Sequence, residues 1–146
     1  MGKRKPTEPK LTLDEARQLL QKAGLRRTAS RVAVMLELAG AGHPLSHAEV
    51  SGRLASGGFG AATIFRCLAD LTEVGVLIRI DMGDHVWRFG FRGGHVGDAD
   101  HPHFLCVDCG SATCLPGVDV RITPRDALAY GDITEVVLKG HCANCR

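Results

Sequence analysis

The stretch Cys106-Val107-Asp108-Cys109 is followed, after 32 intervening residues, by a second pair with the same spacing, Cys142-Ala143-Asn144-Cys145. A C-x-x-C pair turns two thiolates toward a common point, and two pairs complete a tetrahedral site with four cysteine ligands. Because the protein fills all four positions, the pattern predicts a structural Zn²⁺, one per chain, whose binding contributes to folding. A thioredoxin-type redox pair needs a βαβ context and does not account for two pairs.

The composition is that of a folded protein from a reducing compartment. Of the 146 residues, 45% are hydrophobic, and no run of apolar residues is long enough to cross a membrane. No apolar stretch follows the charges near the start of the chain, so we expect neither a secretory signal nor a membrane span. A cytoplasmic location keeps the six cysteines reduced and favours metal ligation or burial over disulfides.

Positive charge is concentrated at the start of the chain. Residues 1–31 carry nine Lys and Arg against three acidic residues, a net charge of +6, so the remainder has −4 of the overall +2. A basic segment is a candidate surface for phosphates, and a solvated tail is the other interpretation. Residues 1–10, with prolines at positions 6 and 9, indicate a flexible basic arm.

Residues 11–91 have the pattern of a winged helix-turn-helix domain. Apolar residues recur at helical spacing, and Ser46 followed by Glu49 has the spacing of a capping box. The predicted helices run over 13–23, from Thr28 or Ser30 to 40, from 46 to 56 and over 61–74, and the predicted hairpin strands over 76–80 and 86–91. Three or four helices followed by a hairpin is the winged-helix order of elements.

Residues 92–100 lack periodicity and contain three glycines, which indicates a hinge between domains. The segment 101–146 should then form a small second domain around the four cysteines. Its predicted strands cover 103–107, 112–115 and 133–139, with a short helical turn near 124–130. The predicted fold class is α+β, with an N-terminal winged helix and a small C-terminal α/β domain.

Four segments resemble, in the same order, the signature blocks of the ferric uptake regulator (Fur) family. They are Gly24-Leu25-Arg26-Arg27-Thr28 with Arg31, Ala62-Thr63-Ile64-Phe65-Arg66 with Leu68 and Leu71, His101-Pro102-His103-Phe104-Leu105-Cys106 through Gly110, and Gly140-His141-Cys142 through Cys145. The resemblance spans residues 24–145 and is strongest to the zinc uptake regulators. It implies a homodimeric repressor, joined through its second domain, that binds double-stranded operator DNA when a second, regulatory metal site is occupied.

The resemblance also implies which residues contact DNA. In a helix-turn-helix, the N-terminal part of the recognition helix meets the base edges, which assigns that role to Thr63, Phe65 and Arg66. Phe65 stands where the family usually has Tyr, so it keeps an apolar contact for a thymine methyl but lacks a hydroxyl. The basic residues expected to lie against phosphates or the minor groove are Arg26, Arg27 and Arg31. Cys67, in the same helix, matches no ligand position and is expected to be a small packed residue.

His101 and His103 lie two residues apart, hence on one face of an extended segment, whereas Cys106 has the other parity. Two separate metal sites follow, and the histidine pair resembles the sensor ligands of the family. Cys114 stands where relatives have a carboxylate beyond the first C-x-x-C. In relatives a further ligand lies near the end of the wing, which is the predicted hairpin of strands 76–80 and 86–91, and the corresponding residue here is Gly90. His85 is therefore the candidate substitute, and the alternative is that His85 is only an exposed histidine of the turn. A ligand before the third helix is assigned to His47, in an ambiguous register that also includes His43.

Imidazole and thiolate ligands suit Zn²⁺ better than Fe²⁺ or Mn²⁺, so we expect a zinc-sensing repressor of metal-homeostasis genes. We do not expect an enzyme. Iron sensing, with Fe²⁺ as the regulatory metal, and peroxide sensing are the alternatives within the family. A small zinc hydrolase using His101, His103 and Cys114 is the alternative from another class. A constitutive DNA-binding module with two structural metals is the third.

Overall fold

Four α-helices and a three-stranded sheet make up the described part of the first unit. The computed structural model describes residues 11–92, 102–115, 117–121, 131 and 136–146. The chain divides into two units, Met1–Gly94 and His95–Arg146. The helices of the first are α1 (Leu13–Lys22), α2 (Ala29–Ala41), α3 (His47–Arg53) and α4 (Ala61–Glu73), and its strands are β1 (Leu45–Ser46), β2 (Leu77–Asp81) and β3 (Trp87–Phe91). A 3₁₀ turn, Ala55–Gly57, precedes α4.

Side-chain caps fix where three of these helices begin. The capping box predicted at Ser46 and Glu49 is confirmed, and a second one, not predicted, joins Thr12 to Glu15 at the start of α1. The Thr28 hydroxyl accepts from the backbone N–H of Arg31, which decides between the two predicted caps of α2. At α4, by contrast, the N-cap is Gly60, whose position has no side-chain cap. The first turn of that helix therefore depends on contacts from elsewhere.

The inward faces of the helices form one apolar core with the sheet. Its buried members include Leu20 of α1, Met35 of α2, Leu68 of α4 and Phe89 of β3. Cys67 belongs to this core, and its thiol donates to the Ser30 hydroxyl at 3.4 Å, so the prediction of a small packed residue is confirmed.

The sheet of this unit has the order β1-β3-β2, with both pairings antiparallel. The predicted hairpin is confirmed, with its strands starting one residue later than expected. Strand β1 was not predicted, because two residues are too few to show an alternating pattern. Leu45 pairs with Phe89, which ties the start of α3 to the wing.

The second unit contains β4 (His103–Cys106), β5 (Ala112–Cys114) and β6 (Val137–Gly140). Strand β4 is central, antiparallel to β5 and parallel to β6. The predicted strands at 103–107 and 112–115 are confirmed, and the third, predicted over 133–139, is confirmed in its described part by β6. The helical turn expected near 124–130, residues 132–135 and nearly all of the expected hinge lie outside the described residues. In the part of the chain that the structure covers, no helix is long and apolar enough to cross a membrane.

A buried ion pair shapes the turn of the wing. The Arg88 guanidinium is 4% exposed and makes two hydrogen bonds to the Asp84 carboxylate, at 3.0 and 2.8 Å. The side-chain hydrogen bond from Arg88 holds the pKa of Asp84 below its ordinary value. The folded protein therefore favours the charged form of Asp84 more than the unfolded chain does, which makes this pair a source of stability.

We predict that Asp84→Asn lowers the free energy of unfolding by about 1–3 kcal/mol, because it leaves a buried guanidinium without its carboxylate. Asp84 has a depressed pKa, so its contribution is complete above the unfolded value near 3.9 and declines as the pH falls below it. Urea unfolding at pH 7 and at pH 3 measures both effects. Glu37→Gln, which removes the carboxylate of the more solvent-exposed Arg53–Glu37 ion pair, is the control and should change stability by less than about 0.5 kcal/mol. Equal stability of wild type and Asp84→Asn at pH 7 would contradict the assignment.

Candidate metal centre and DNA-facing helix

The four cysteines of the two C-x-x-C pairs meet at one point. Their Sγ atoms all lie within 4.8 Å of one another, and those of Cys109 and Cys142 are 3.9 Å apart. Cys106 ends β4, and Cys142 lies two residues beyond β6, so the parallel pairing of these strands brings the two pairs together. The backbone N–H of Cys142 donates to the Cys106 sulfur at 3.3 Å, which links the pairs directly.

This arrangement fits a tetrahedral zinc ion. Zn–S bonds of about 2.3 Å place tetrahedral sulfurs about 3.8 Å apart, close to the measured Cys109–Cys142 separation. Four thiolates leave no position for water or substrate, which is the donor set of a structural site. Cys106, Cys109, Cys142 and Cys145 would therefore hold Zn²⁺, as the sequence predicts, and the ion would supply a fourfold cross-link between segments distant in the chain.

The thiols of the cluster differ in their readiness to ionise. The backbone N–H groups of Cys109 and Cys142 lower the pKa of Cys106 to about 6. Hydrogen bonding to Ser111 lowers the pKa of Cys109, whose sulfur lies 3.2 Å from the Ser111 hydroxyl. Hydrogen bonds to Cys142 and Cys109 raise the pKa of Cys145 to about 12. The Cys106 thiol therefore ionises most readily, whereas ionisation of Cys145 would require the charge of a bound cation.

A further contact joins the two C-x-x-C segments. Asp108 lies inside the first and His141 immediately precedes the second, and the His141 Nδ1 is hydrogen-bonded to the Asp108 carboxylate. That hydrogen bond and the carboxylate charge raise the pKa of His141. Neither residue was predicted to have a role, although each lies next to a cysteine ligand of a different C-x-x-C pair, and that position was a signal from which the contact could have been predicted.

His103 and Cys114 face each other across neighbouring strands. They are register partners in the β4–β5 pair. The backbone hydrogen bond next to this pair runs from Leu115 N to Pro102 O, and the one further along the ladder runs from Cys106 N to Ser111 O. This pattern makes His103 and Cys114 a non-hydrogen-bonded pair, the type in which opposite side chains approach most closely. His103 is 5% exposed. The structure thus brings together two of the predicted regulatory ligands.

Of the other predicted regulatory ligands, His101 lies outside the described residues, and His85 and His47 belong to the first unit. His85 is exposed in the wing turn and has a φ of 63°, in the left-handed region that few residues other than glycine adopt. His47 is the first residue of α3, and its Nε2 lies 2.8 Å from the carbonyl oxygen of Ala61 in α4.

Helix α4 presents an exposed face at its N-terminal end. Phe65 is 60% exposed, Arg66 is exposed, and Thr63 is half-buried, while Ile64 and Leu68 point into the core. Of the basic residues assigned to phosphates, Arg26 and Arg27 are exposed. The guanidinium of Arg31 instead forms an ion pair with Asp70 at 2.8 Å and donates to the backbone oxygen of Arg26 at 3.1 Å. It fixes the basic segment to α4.

The sequence and the fold are similar to those of known proteins. The family model described as "Ferric uptake regulator family" matches residues 22–122. The chain belongs to the ferric uptake regulator family. This confirms the family resemblance found in the signature segments. Members of this family are metal-responsive DNA-binding transcription regulators.

Individual relatives agree with this assignment. A ferric uptake regulation protein from Haemophilus ducreyi is 27% identical over 118 residues, which cover 77% of this chain and 76% of the relative. The solved structure of the Vibrio cholerae ferric uptake regulator is similar with a TM-score of 0.65 at 22% identity, covering 86% of this chain and 98% of that one. A zinc-bound manganese uptake regulator gives a TM-score of 0.67 at 19% identity, covering 90% and 98%. The predicted α+β fold class is confirmed.

We predict that Cys106→Ser removes the zinc and unfolds the second unit, because three thiolates leave the site open and β4 loses the metal cross-link to the segment after β6. Metal analysis should give close to one zinc per chain for the wild type and much less for the variant. Amide exchange should become fast in β4–β6 and stay slow in α2 and α4. Cys114→Ser is the matched control, since it removes a thiol of the same sheet outside the cluster. A Cys106→Ser protein with full zinc and protected β4 amides would contradict the structural site.

Proposed function

We propose that this Fur-family regulator is a cytoplasmic, homodimeric repressor whose binding to operator DNA depends on Zn²⁺ held at a second site by His101, His103 and Cys114. The observation that carries the proposal is the cross-strand pairing of His103 with Cys114, outside the four-cysteine cluster. In a non-hydrogen-bonded pair of an antiparallel sheet, an imidazole and a thiolate lie close enough to bind the same ion.

The donor atoms support zinc as the effector. Imidazole nitrogen and thiolate sulfur form a borderline-soft set, whereas Fe²⁺ and Mn²⁺ in such proteins favour more oxygen ligands. The low exposure of His103 favours a binding role over catalysis, because a hydrolytic site needs room for both a water molecule and a substrate. We therefore propose a regulatory site and no enzymatic activity.

Coupling to DNA requires a ligand or contact from the first unit. We propose that His85 supplies it, since its ring is exposed at the turn of the wing. A site shared by the two units would be complete only in one arrangement of them. Metal binding there would shift the population toward that arrangement, because the metal has a higher affinity for it than for the others. A difference in affinity of this kind is sufficient for allosteric control.

The DNA-facing part of the proposal rests on α4 and the basic segment before α2. Phe65 and Arg66 project from the first two turns of α4, the part of a recognition helix that reaches base edges. Arg66 can donate two hydrogen bonds to guanine, and Phe65 can contact a thymine methyl. Arg26 and Arg27 would lie against phosphates and contribute affinity without sequence preference, whereas Arg31 would hold them in place through the Arg26 carbonyl.

Loss of the regulatory site should leave the structural one intact. We predict that Cys114→Ser and His103→Gln each keep one zinc per chain and remain folded dimers, but lose most of the metal-dependent gain in operator affinity. That gain in the wild type should be about 5- to 150-fold, the usual range of allosteric coupling. Fluorescence anisotropy with a labelled operator, at controlled free Zn²⁺, measures it.

Thr113→Ser, on the neighbouring position of β5 but opposite Phe104, is the matched control and should behave as the wild type. If Cys114→Ser binds DNA with an unchanged dependence on Zn²⁺, the regulatory assignment fails and a constitutive DNA-binding module becomes the better account. If it responds to Fe²⁺ or Mn²⁺ in place of Zn²⁺, the site stands and the thiolate is the element that selects zinc.

A further inference from the structure

The imidazole of His47 contacts the proposed recognition helix in two places. Its Nε2 atom lies 2.8 Å from the carbonyl oxygen of Ala61, the first residue of α4. Its ring lies edge-on to that of Phe65, with the ring centroids 5.7 Å apart and the planes at 86°. The backbone carrying His47 is itself fixed, because Ser46 and Glu49 close the capping box at the start of α3.

The first contact determines which ring nitrogen carries the proton. A carbonyl oxygen only accepts hydrogen bonds, so the Nε2 of His47 must be the donor. In the neutral imidazole this leaves the lone pair on Nδ1 alone, and a metal ion could take Nε2 only by breaking the bond to Ala61. The contact also gives α4 a restraint on its first turn, where Gly60 offers no side-chain cap.

The second contact explains how an exposed aromatic ring can hold one orientation. Side chains on a helix lean toward its N-terminus, over the residues three and four positions earlier. For Phe65 these are Ala61 and Ala62, whose methyl groups cannot confine a ring that is 60% exposed. The imidazole of His47 supplies the missing lateral contact from the preceding helix, in the edge-to-face geometry that aromatic pairs prefer.

We propose that His47 is a positioning residue for DNA readout: it holds Phe65 and the first turn of α4 in the geometry that contacts a thymine methyl. The inference rests on the proposed DNA-binding function of α4. An ordered Phe65 enters the major groove without losing rotamer freedom on binding, which raises both affinity and discrimination at the base it touches. This role differs from that of a regulatory metal ligand, which the sequence analysis assigned to His47, and the two roles have different signatures.

The test uses a duplex selected from a random-sequence pool by the wild-type protein in the presence of Zn²⁺, and a matched set in which each thymine is replaced by uracil, which lacks the 5-methyl group. We expect the wild type to lose affinity at one or a few of these positions, and Phe65→Ala to abolish that loss. His47→Ala should weaken binding to the selected duplex by about 2- to 12-fold, the range expected for an aromatic pair, and reduce the methyl discrimination. Binding to a random-sequence duplex should not change.

Two further variants separate positioning from general stability. His47→Gln can keep a donor for the Ala61 carbonyl but has no ring edge, so it should preserve the thermal stability of the protein and still lose methyl discrimination. In a Phe65→Ala background, His47→Gln should have no further effect on the selected duplex, because the ring on which the imidazole edge packs is gone and the donor to the Ala61 carbonyl is kept. The Zn²⁺ concentration at half-maximal binding should be the same in all His47 variants.

Three results would overturn the inference. Equal losses on selected and random duplexes would make His47 a general structural or phosphate contact. Unchanged methyl discrimination with a shifted Zn²⁺ midpoint would make it a metal ligand. If neither Phe65→Ala nor Arg66→Ala weakens binding to the selected duplex, the assignment of α4 as the reading helix fails, and the role of His47 fails with it.

Discussion

Four thiols held within 4.8 Å of one another are the constraint on which the second unit depends. They join the end of β4 to the segment after β6, and these two parallel strands are far apart in the chain. The described sheet of this unit has three short strands, and its buried apolar residues are Leu105, Cys106 and Ala112. A metal that binds the four sulfurs would supply the cross-link, and since the pKa of Cys145 is raised to about 12, its ionisation would require the charge of the metal.

The same constraint supports the neighbouring pair. Strand β4 carries Cys106 on one face and His103 on the other, because successive side chains of a strand alternate. A cluster that fixes the end of β4 also fixes the register that places His103 opposite Cys114. Structural and regulatory metal binding would then use one strand without sharing a ligand. The first unit follows a different principle, since its apolar core and helix caps give it stability without metal, and its exposed face on α4 is positioned by α3.

The sequence predicted the elements whose signals are local. Helical periodicity, the capping box at Ser46 and the hairpin were found from the residues, and the C-x-x-C spacing predicted the four-cysteine cluster. Strand β1 was missed because it pairs with β3 through tertiary contacts and has no period of its own. Contacts between distant residues could not be predicted for the same reason: the ion pair of Arg31 with Asp70, the hydrogen bond of His141 to Asp108, and the contact of His47 with Phe65 all depend on how elements pack.

We propose that one metal per chain is structural and that a second controls DNA binding. Metal analysis of the wild-type protein purified without added metal, followed by titration of operator binding with Zn²⁺, Fe²⁺ and Mn²⁺, tests this division of roles. We expect about one tightly held zinc per chain and weak operator binding in that state. Operator affinity should then rise as a second site is occupied, and Zn²⁺ should produce this rise at a lower free concentration than Fe²⁺ or Mn²⁺. Full operator affinity with only one zinc per chain, unaffected by any added metal, would contradict this division of roles.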